Sequence, residues 1–392
     1  MRTSKVIGGI ASHPAREEFL KVTIESIIDQ FDEIYVYLNN YKKVPEFLKH
    51  EKITPILSSE ADGDLRALGK FYKAKDVDGY YFSMDDDIKY PKDYVSYLTN
   101  EIDLHYRKAV VGVHATIYRR HPIKSYYRDK SRQIFYCYER WNKTQSVHML
   151  GTGTMAFHTN TLKFDWELFK DQKNMLDPQM ARHLHYLSLP QITLRRNRAW
   201  IIEQKGSQDL AIWKSVAKDD SVQTDIINSI PKLQHFPAQR ADRNKLGDAS
   251  IEWNLLRWLV GNVKGGKVVE LGAGNASREI AKNYDLTSIE HNPKWLRSHK
   301  NTILAPIVDD WYDVDKMQDI KNADVYLIDG PPARICDRGK LIENLDLFNK
   351  DAIFVLDDVN RDAEMSLAKK LSKALGRKMT VHEGQQKNFA TI

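Results

Sequence analysis

The chain has few cysteines and no long apolar run. Its 392 residues include only two cysteines, Cys137 and Cys336. They lie in different halves without the spacing of metal ligands, which argues against a disulfide framework and against a zinc site. No stretch approaches the roughly 18 consecutive apolar residues that a membrane-spanning helix needs. The apolar run at 6–10 is too short for the core of a signal peptide, so we expect a cytoplasmic protein.

The chain also lacks a strong excess of either charge. Its formal net charge is +6, and 42% of its residues are hydrophobic, as in soluble globular proteins. Basic residues cluster at 118–121 and 194–198 without a nucleic-acid recognition motif, so we expect no nucleic-acid partner. A diphosphate donor, a lipid-phosphate acceptor or peripheral contact with the anionic inner membrane surface explains them equally well, and an ordinary solvated face explains them better.

Strand-like and helix-like segments alternate through both halves, which indicates an α/β fold class. The length favours two domains, and a charged stretch with two prolines separates the two series. We assign 1–230 to the first domain, 231–248 to a linker and 249–392 to the second domain. The predicted strands are 5–11, 33–39, 79–84, 110–114, 155–158, 267–271, 286–290, 324–328, 352–356, 378–382 and 388–392, and the predicted helices are 14–30, 65–75 and 249–260.

Three consecutive aspartates, Asp85 to Asp87, follow a predicted buried strand. In extended backbone, side chains two residues apart project the same way, so we expect Asp85 and Asp87 to face one point. Two carboxylates there suit Mg²⁺ or Mn²⁺, which would neutralise the charge that develops on a departing nucleoside diphosphate. The alternative is an acidic turn that caps the next helix.

Short motifs surround this cluster in a particular order. Residues 11–16 end the first strand, 61–70 precede the aspartates, and a Gly-Thr-Gly loop follows at 151–153. Over 5–205 this order resembles glycosyltransferases of the GT-A fold, in particular the inverting family that builds bacterial surface polysaccharides. The resemblance implies a nucleotide-sugar donor of the UDP or dTDP type and a glycan or lipid-linked glycan acceptor.

The same resemblance assigns roles to individual residues of the first half. Ser12 and Asp64 would contact the nucleoside, Asp85 would hold ribose or metal, and Asp87 would be the principal metal ligand. We interpret Lys70 as a surface residue of the 65–75 helix.

Inverting transfer also needs a carboxylate base that takes the proton of the acceptor hydroxyl. By its position the candidate is Asp177, with Glu167 and Asp171 as fallbacks. Because a proline follows Asp177, a helix N-cap explains it as well. His183 and His185 are weaker candidates for a metal ligand, since lone histidines are more often ordinary polar residues.

A glycine turn opens the second half. Glu270 lies near the end of its first strand, Gly272 and Gly274 follow, and Glu290 closes the next strand. Glycines there let the backbone approach a nucleoside closely. A dinucleotide site is the alternative, but its fingerprint requires a third glycine where this chain has Ser277. The pattern resembles class I S-adenosylmethionine-dependent methyltransferases, which have a Rossmann-like fold.

This second resemblance implies a cofactor site for S-adenosylmethionine. The glycine loop, with Glu270 beside it, would pass the methionine moiety. Glu290 would hold the ribose hydroxyls, and Asp309 or Asp310 would lie near the adenine.

Two later strands of the second half also end in carboxylates, Asp329 and the pair Asp357 and Asp358. The Asp-Gly-Pro turn at 329–331 resembles polysaccharide O-methyltransferases such as those that act on glucuronoxylan. The three carboxylates would gather a divalent metal, or Asp329 would act as the base for a sugar hydroxyl. A tight turn and a helix cap are the alternatives. Arg338 and Arg361 would bind an acidic sugar, as the weakest of these predictions.

The leading hypothesis is therefore a bifunctional enzyme of surface-polysaccharide biosynthesis. The first half would transfer a sugar to a glycan, and the second would O-methylate a glycan hydroxyl. One alternative keeps the glycosyltransferase and makes the second half a non-catalytic binding module. Another is a binding protein in which both acidic clusters are turns.

Overall fold

The computed structural model describes residues 4–173, 175–207, 218–247, 250–317 and 320–392. The chain divides into two compact units, Arg2–Gln239 and Arg240–Ile392. Each unit is built on a large sheet flanked by helices, which confirms the predicted α/β class. No helix in the described part of the chain has both the length and the hydropathy that crossing a bilayer requires.

The first unit contains the following elements. The strands are β1 (Val6–Ser12), β2 (Glu33–Leu38), β3 (Ile53–Leu57), β4 (Tyr80–Met84), β5 (Ile88–Lys89), β6 (Val110–Gly112), β7 (Ala115–Tyr118), β8 (Arg132–Phe135), β9 (Gln145–Ser146), β10 (Met149–Leu150), β11 (Thr154–His158), β12 (Gln191–Thr193) and β13 (Ile202–Glu203). The described α-helices are α1 (Glu17–Ile27), α2 (Tyr94–Leu104), α3 (Leu176–Tyr186) and α4 (Ser221–Asn228).

The main sheet of the first unit has eight strands in the order β3-β2-β1-β4-β11-β6-β12-β9. β1 runs parallel to β2 and β4, whereas β11 is antiparallel to both of its neighbours. In the register of β1 and β4, Ile10 pairs with Met84, so the carboxyl ends of these strands meet at one edge. Ser12 and the aspartates after Met84 are neighbours for this reason.

Apolar residues without a polar alternation explain why β1 and β4 are central strands. All five residues of β4 are buried, as are the first five of β1. Gly9 has a further role, since a Cβ there would collide with the Lys70 carbonyl and the Tyr81 hydroxyl. The missing side chain lets the 3₁₀ helix Arg66–Phe71 lie across β1 and fixes the position of Lys70.

The second unit contains the following elements. The strands are β14 (Lys267–Leu271), β15 (Asp285–Glu290), β16 (Thr302–Leu304), β17 (Ile307–Val308), β18 (Trp311–Tyr312), β19 (Val325–Ile328), β20 (Ile353–Leu356), β21 (Thr380–His382) and β22 (Phe389–Thr391). The described α-helices are α5 (Trp253–Asn262), α6 (Ser277–Ile280), α7 (Lys340–Glu343) and α8 (Asp362–Leu375).

Its seven-stranded sheet has the order β16-β15-β14-β19-β20-β22-β21. The first five strands are parallel and wind outward in both directions from β14, as in Rossmann-like sheets, and β22 is antiparallel to β20. Leu271, Ile328 and Leu356 share one register. The segments that follow these three residues therefore lie side by side at one edge of the sheet.

Candidate functional sites

A cavity of about 1180 Å³ opens at the carboxyl edge of the first sheet. Its wall contains the five leading site residues that the sequence analysis assigns to this half: Ser12, Asp64, Asp85, Asp87 and Asp177. These side chains come from distant parts of the chain, and the sheet order brings them together.

The acidic cluster does not have the extended backbone that its prediction assumed. β4 ends at Met84, and the chain turns at 86–87. Asp85 forms an ion pair with Lys70, whereas Asp87 lies 2.6 Å from Arg16 (Oδ2 to Nη2). The two carboxylates face the same cavity but are held by different cations, because a turn has no alternation of side chains.

Asp86, between them, fastens the first-strand loop to the cluster. Its Oδ2 accepts a hydrogen bond from Ser12 Oγ at 2.6 Å, and its Oδ1 accepts one from Arg16 Nε at 2.8 Å. Burial raises the pKa of Asp86 to about 6, although Arg16 acts in the opposite direction. Asp86 therefore has a supporting position, which sequence reasoning missed.

The interpretation of Lys70 as a surface residue is wrong. Its exposed fraction is 3%, and its ammonium pairs with Asp85. Burial by itself would raise the pKa of Asp85, but Lys70 brings that pKa below its usual value. A Cβ at Gly153 would overlap the Asp85 carboxylate, and Tyr90 connects the two residues, because its hydroxyl donates to the Gly153 carbonyl. Asp85 is thus held by the Gly-Thr-Gly loop on one side and by Lys70 on the other.

Asp177 lies inside α3, one residue after its start, and not at the N-cap. Its Oδ1 accepts two hydrogen bonds from Thr152, from the backbone N at 2.9 Å and from Oγ1 at 2.7 Å. Of the fallback bases, Glu167 pairs with Lys75 at the surface, and Asp171 is exposed outside the cavity. The structure thus brings only Asp177 to the acidic cluster.

His114 is a cavity residue that the sequence analysis did not select. Burial lowers its pKa, and the nearby charges of Asp177 and Asp85 act against that effect. It follows β6, whose carboxyl end lies at the same edge as that of β4. Ligands of open α/β sheets bind at the carboxyl ends of strands, and this rule, applied to every predicted strand, would have found His114.

His183 and His185 do not lie at the acidic cluster. They line a separate cavity of about 680 Å³, where His185 Nδ1 lies 2.9 Å from the Ala181 carbonyl oxygen. The structure gives no support to a metal role for either residue in the predicted site.

In the second unit, the glycine loop is fastened from below by two glutamates. Ser277 Oγ accepts from the Gly274 N–H at 2.8 Å and donates to Glu270 Oε2 at 2.6 Å. The Ala273 N–H donates to Glu290 Oε2 at 2.7 Å. Ser277, where the dinucleotide fingerprint has glycine, therefore connects the loop to the strand beneath it.

Both glutamates are almost fully buried. Glu270 also accepts from Ser288 Oγ at 2.5 Å, and burial raises its pKa to about 7. Glu290 Oε1 accepts from the Asn292 N–H at 2.6 Å. The observed contacts of both residues are with the protein, and their contacts with a cofactor stay predictions.

Asp309 and Asp310 form the two-residue turn of the β17–β18 hairpin. Both have a positive φ, of 51° and 63°, as type I′ turns require, and both are exposed. Their position near an adenine stays a prediction.

Asp329, Asp357 and Asp358 form the one group of three potential metal-ligand side chains found among the described residues. Their ligand oxygens all lie within 4.8 Å of one another. Burial raises the pKa of Asp357 to about 6 and that of Asp329 well above its usual range. Lys387 Nζ lies 3.6 Å from Asp357 Oδ2 and 3.3 Å from Asp358 Oδ1.

The two arginines of this region differ in exposure. Arg338 is buried and donates to the backbone carbonyls of Asp329 and Pro331 at 2.7 and 2.9 Å, so it supports the Asp-Gly-Pro turn. Arg361 is half exposed and lies 3.1 Å from Asp358. Only Arg361 has a guanidinium that a surface ligand can reach.

Comparison of the sequence with known protein families and with curated proteins finds no match. Among solved structures, S. aureus TarS 1–349 is similar with 12% identity and a TM-score of 0.34, covering 58% of this chain and 69% of that one. The glycosyltransferase GlyE of Streptococcus pneumoniae has 10% identity and a TM-score of 0.28 over 88% of each chain. The MycE methyltransferase of mycinamycin biosynthesis, solved with Mg and SAH, has 11% identity and a TM-score of 0.27 over 76% of this chain and 83% of that one. What the two units do has to follow from their own residues.

Proposed function

We propose that the first unit transfers a sugar from a nucleotide-sugar donor to a glycan or lipid-linked glycan, with a divalent cation, in surface-polysaccharide biosynthesis. The observation that carries this proposal is the shared cavity wall. Ser12 and Asp64 lie in it with Asp85 and Asp87, so a nucleoside and its diphosphate can be bound in one place. We place the reaction in the cytoplasm, at the inner membrane surface where such acceptors are elongated.

The charge of the cavity supports a cation. Six carboxylates line it (Asp64, Asp85, Asp86, Asp87, Asp177 and Glu203), against four side chains of lysine and arginine (Arg16, Arg66, Lys70 and Arg132). A diphosphate would add negative charge to a wall that already has an excess of it, which Coulomb repulsion opposes. Mn²⁺ or Mg²⁺ on Asp85 and Asp87 would cancel this excess and, when bound, would supply Lewis-acid stabilisation of the leaving diphosphate.

Asp177 is the base in this proposal. Thr152 fixes its Oδ1 with two hydrogen bonds, which orients the carboxylate at the cavity wall. The carboxylate takes the proton of the acceptor hydroxyl as the oxygen attacks the anomeric carbon. Attack from the side opposite the leaving diphosphate gives inversion.

Donor turnover with and without Mn²⁺ tests the proposal. We expect Mn²⁺ to stimulate nucleotide-sugar hydrolysis by the wild type and Asp87→Ala to lose that stimulation. Asp78→Ala is the matched control, because Asp78 is exposed at the surface and pairs with Lys163. Equal, metal-independent rates in wild type and Asp87→Ala would remove the metal mechanism.

For the second unit we propose O-methylation of a glycan hydroxyl with S-adenosylmethionine. The support is that two groups able to contact a ligand lie side by side at one edge of the sheet. They are the glycine loop after β14, which Ser277 holds in place, and Asp329 after β19. In this proposal Glu290 holds the ribose and Asp329 takes the hydroxyl proton. Two sites on one chain would keep the glycan at a high effective concentration for the second step.

Titration calorimetry with S-adenosylmethionine tests the second unit. Binding with a stoichiometry near one is expected. Absence of heat would favour the alternative of a non-catalytic glycan-binding module. The saturation of Glu270 and Glu290 by protein donors is the observation that favours this alternative.

A further inference from the structure

A lysine near the end of the chain lies among the three carboxylates of the second unit. Lys387 belongs to the loop between β21 and β22, and its side chain is 12% exposed. Its ammonium lies within 4 Å of Asp357 and Asp358 and donates to the Ser250 carbonyl at 2.9 Å. This largely buried ammonium therefore takes a position next to two carboxylates that a metal cation could otherwise take.

The loop that contains Lys387 is held in place by another buried carboxylate, that of Glu252. Glu252 accepts three backbone N–H bonds, from Gln385 at 2.8 Å, from Gln386 at 2.7 Å and from Lys387 at 3.1 Å. Successive N–H groups that converge on one anion form a nest, which is a rigid arrangement. A Cβ at Gly384 would collide with the Glu252 carboxylate and the Lys387 carbonyl. The loop is therefore built around Glu252, and Lys387 extends from it to the cluster.

The ammonium of Lys387 leaves one carboxylate oxygen of Asp357 without a hydrogen-bond donor among the described residues. The residue is 1% exposed, and its Oδ2 has no hydrogen-bond partner within the described part of the chain. The 3.6 Å from this oxygen to Lys387 Nζ is too long for a hydrogen bond. A buried carboxylate with an oxygen that lacks a donor, in a group of three carboxylates within 4.8 Å of one another, suits a hard cation.

We propose that Lys387 closes a divalent-cation site. Its ammonium compensates part of the charge of Asp329, Asp357 and Asp358 and excludes Mg²⁺ or Mn²⁺, which bind to these carboxylates when the charge at 387 is removed. A divalent ion bound to the same oxygens would lie close to the ammonium and be repelled by it. This inference concerns the cation at the cluster and holds whether or not the unit transfers a methyl group.

Mn²⁺ binding to the full-length chain, followed by electron paramagnetic resonance, tests the proposal. We expect Lys387→Met to gain one Mn²⁺ site relative to the wild type, with at least about tenfold tighter binding at the cluster. Lys387→Arg keeps the charge and is expected to gain nothing. Lys387→Met combined with Asp357→Asn is expected to lose the gained site, which assigns it to this cluster.

The inference is overturned if Lys387→Met gains no site, or if Asp357→Asn removes a Mn²⁺ site that the wild type already has. Thermal melting establishes that each variant is folded. Should Lys387→Met not fold, Lys387→Gln provides the same readout, because it also removes the charge at 387. Binding of S-adenosylmethionine is measured separately, so failure of the methyl-transfer proposal and failure of this inference give different results.

Discussion

The two acidic clusters begin from the same sequence feature and end in different chemistry. Each consists of aspartates directly after a buried parallel strand, at the carboxyl edge of a sheet. In the first unit, Arg16 and Lys70 form ion pairs with the cluster, which faces a cavity of about 1180 Å³. In the second, Lys387 from the β21–β22 loop lies next to Asp357 and Asp358, and the half-exposed Arg361 pairs with Asp358 from the surface. The comparison teaches that the strand edge places the carboxylates, while remote residues decide which cation they meet.

Asp86 and Asp357 show the difference at the level of single side chains. Burial raises the pKa of each to about 6. Asp86 is bonded through both oxygens, to Ser12 and to Arg16, whereas Asp357 Oδ2 has no hydrogen-bond partner among the described residues. The Asp86 carboxylate is therefore fully used in holding the structure together, whereas the Asp357 carboxylate has an oxygen available to bind a cation.

The largest expected effect is that of Asp177→Asn on the rate of sugar transfer, which tests whether the cavity at the first cluster is catalytic. Asp177→Asn removes the proposed base but keeps an acceptor for the Thr152 hydrogen bonds, so the rate of sugar transfer should fall by about 10²- to 10⁴-fold. Steady-state kinetics measures this, with donor KM expected to change little. Asp171→Asn, an exposed position outside the cavity, is the control. A wild-type kcat in Asp177→Asn would contradict the assignment.

The two glycine loops provide the next contrast. A Cβ at Gly153 overlaps the Asp85 carboxylate, so Gly153→Ala should displace Asp85 and weaken donor binding by at least about tenfold. Calorimetry with a nucleoside diphosphate and Mn²⁺ measures the loss. Unchanged donor affinity in a folded Gly153→Ala would show that the position of Asp85 is unimportant.

Gly274 should behave differently, because the nearest atom to a Cβ there is Ser250 Oγ at 4.0 Å, and its φ is not positive. Gly274→Ala is therefore expected to melt at the wild-type temperature. If the loop binds a nucleoside at close range, the added methyl group should nevertheless weaken S-adenosylmethionine binding, by about tenfold. Wild-type affinity would contradict the cofactor assignment of this loop.

The smallest expected effect is on the pH dependence of folding stability, through Glu270 next to the second glycine loop. The folded-state pKa of Glu270 is about 7, against an ordinary 4.5, so the folded chain keeps a proton that the unfolded chain has released. Stability should therefore fall as the pH rises between these two values, and Glu270→Gln should lack this contribution. Melting curves at about pH 5 and about pH 8 should show the variant gaining by a few degrees relative to wild type at the higher pH. An equal difference at both pH values would contradict the raised pKa.

The strands that position both sites were predictable, because β1, β4, β14 and β19 are short, mostly apolar runs whose residues are nearly all buried. The resemblance to GT-A glycosyltransferases assigned Ser12 to the same site as the aspartates. The 65–75 segment was predicted to be helical, and it contains the 3₁₀ helix Arg66–Phe71, whose Gly69 packs against the ring of Tyr37. The sequence pattern also missed β3 and the small sheet β10-β7-β8, because their short strands have no clear alternation.

The lysines that pair with the two clusters could not be predicted from the sequence, for a different reason. Lys70 was interpreted as a surface residue, because its burial depends on Gly9, which lets its backbone lie across β1. Lys387 lies 29 residues after Asp358 and reaches the cluster only through the nest around Glu252. Contacts of this kind follow from tertiary packing, and local propensity does not contain them.

The most direct test of the account is Mn²⁺ binding in the presence of a nucleoside diphosphate, compared between wild type, Asp87→Asn and Asp357→Asn. The account predicts that the wild type binds Mn²⁺, that Asp87→Asn loses the site and that Asp357→Asn keeps it. Loss of the site in Asp357→Asn, with retention in Asp87→Asn, would show that the cation belongs to the second cluster and would contradict the account.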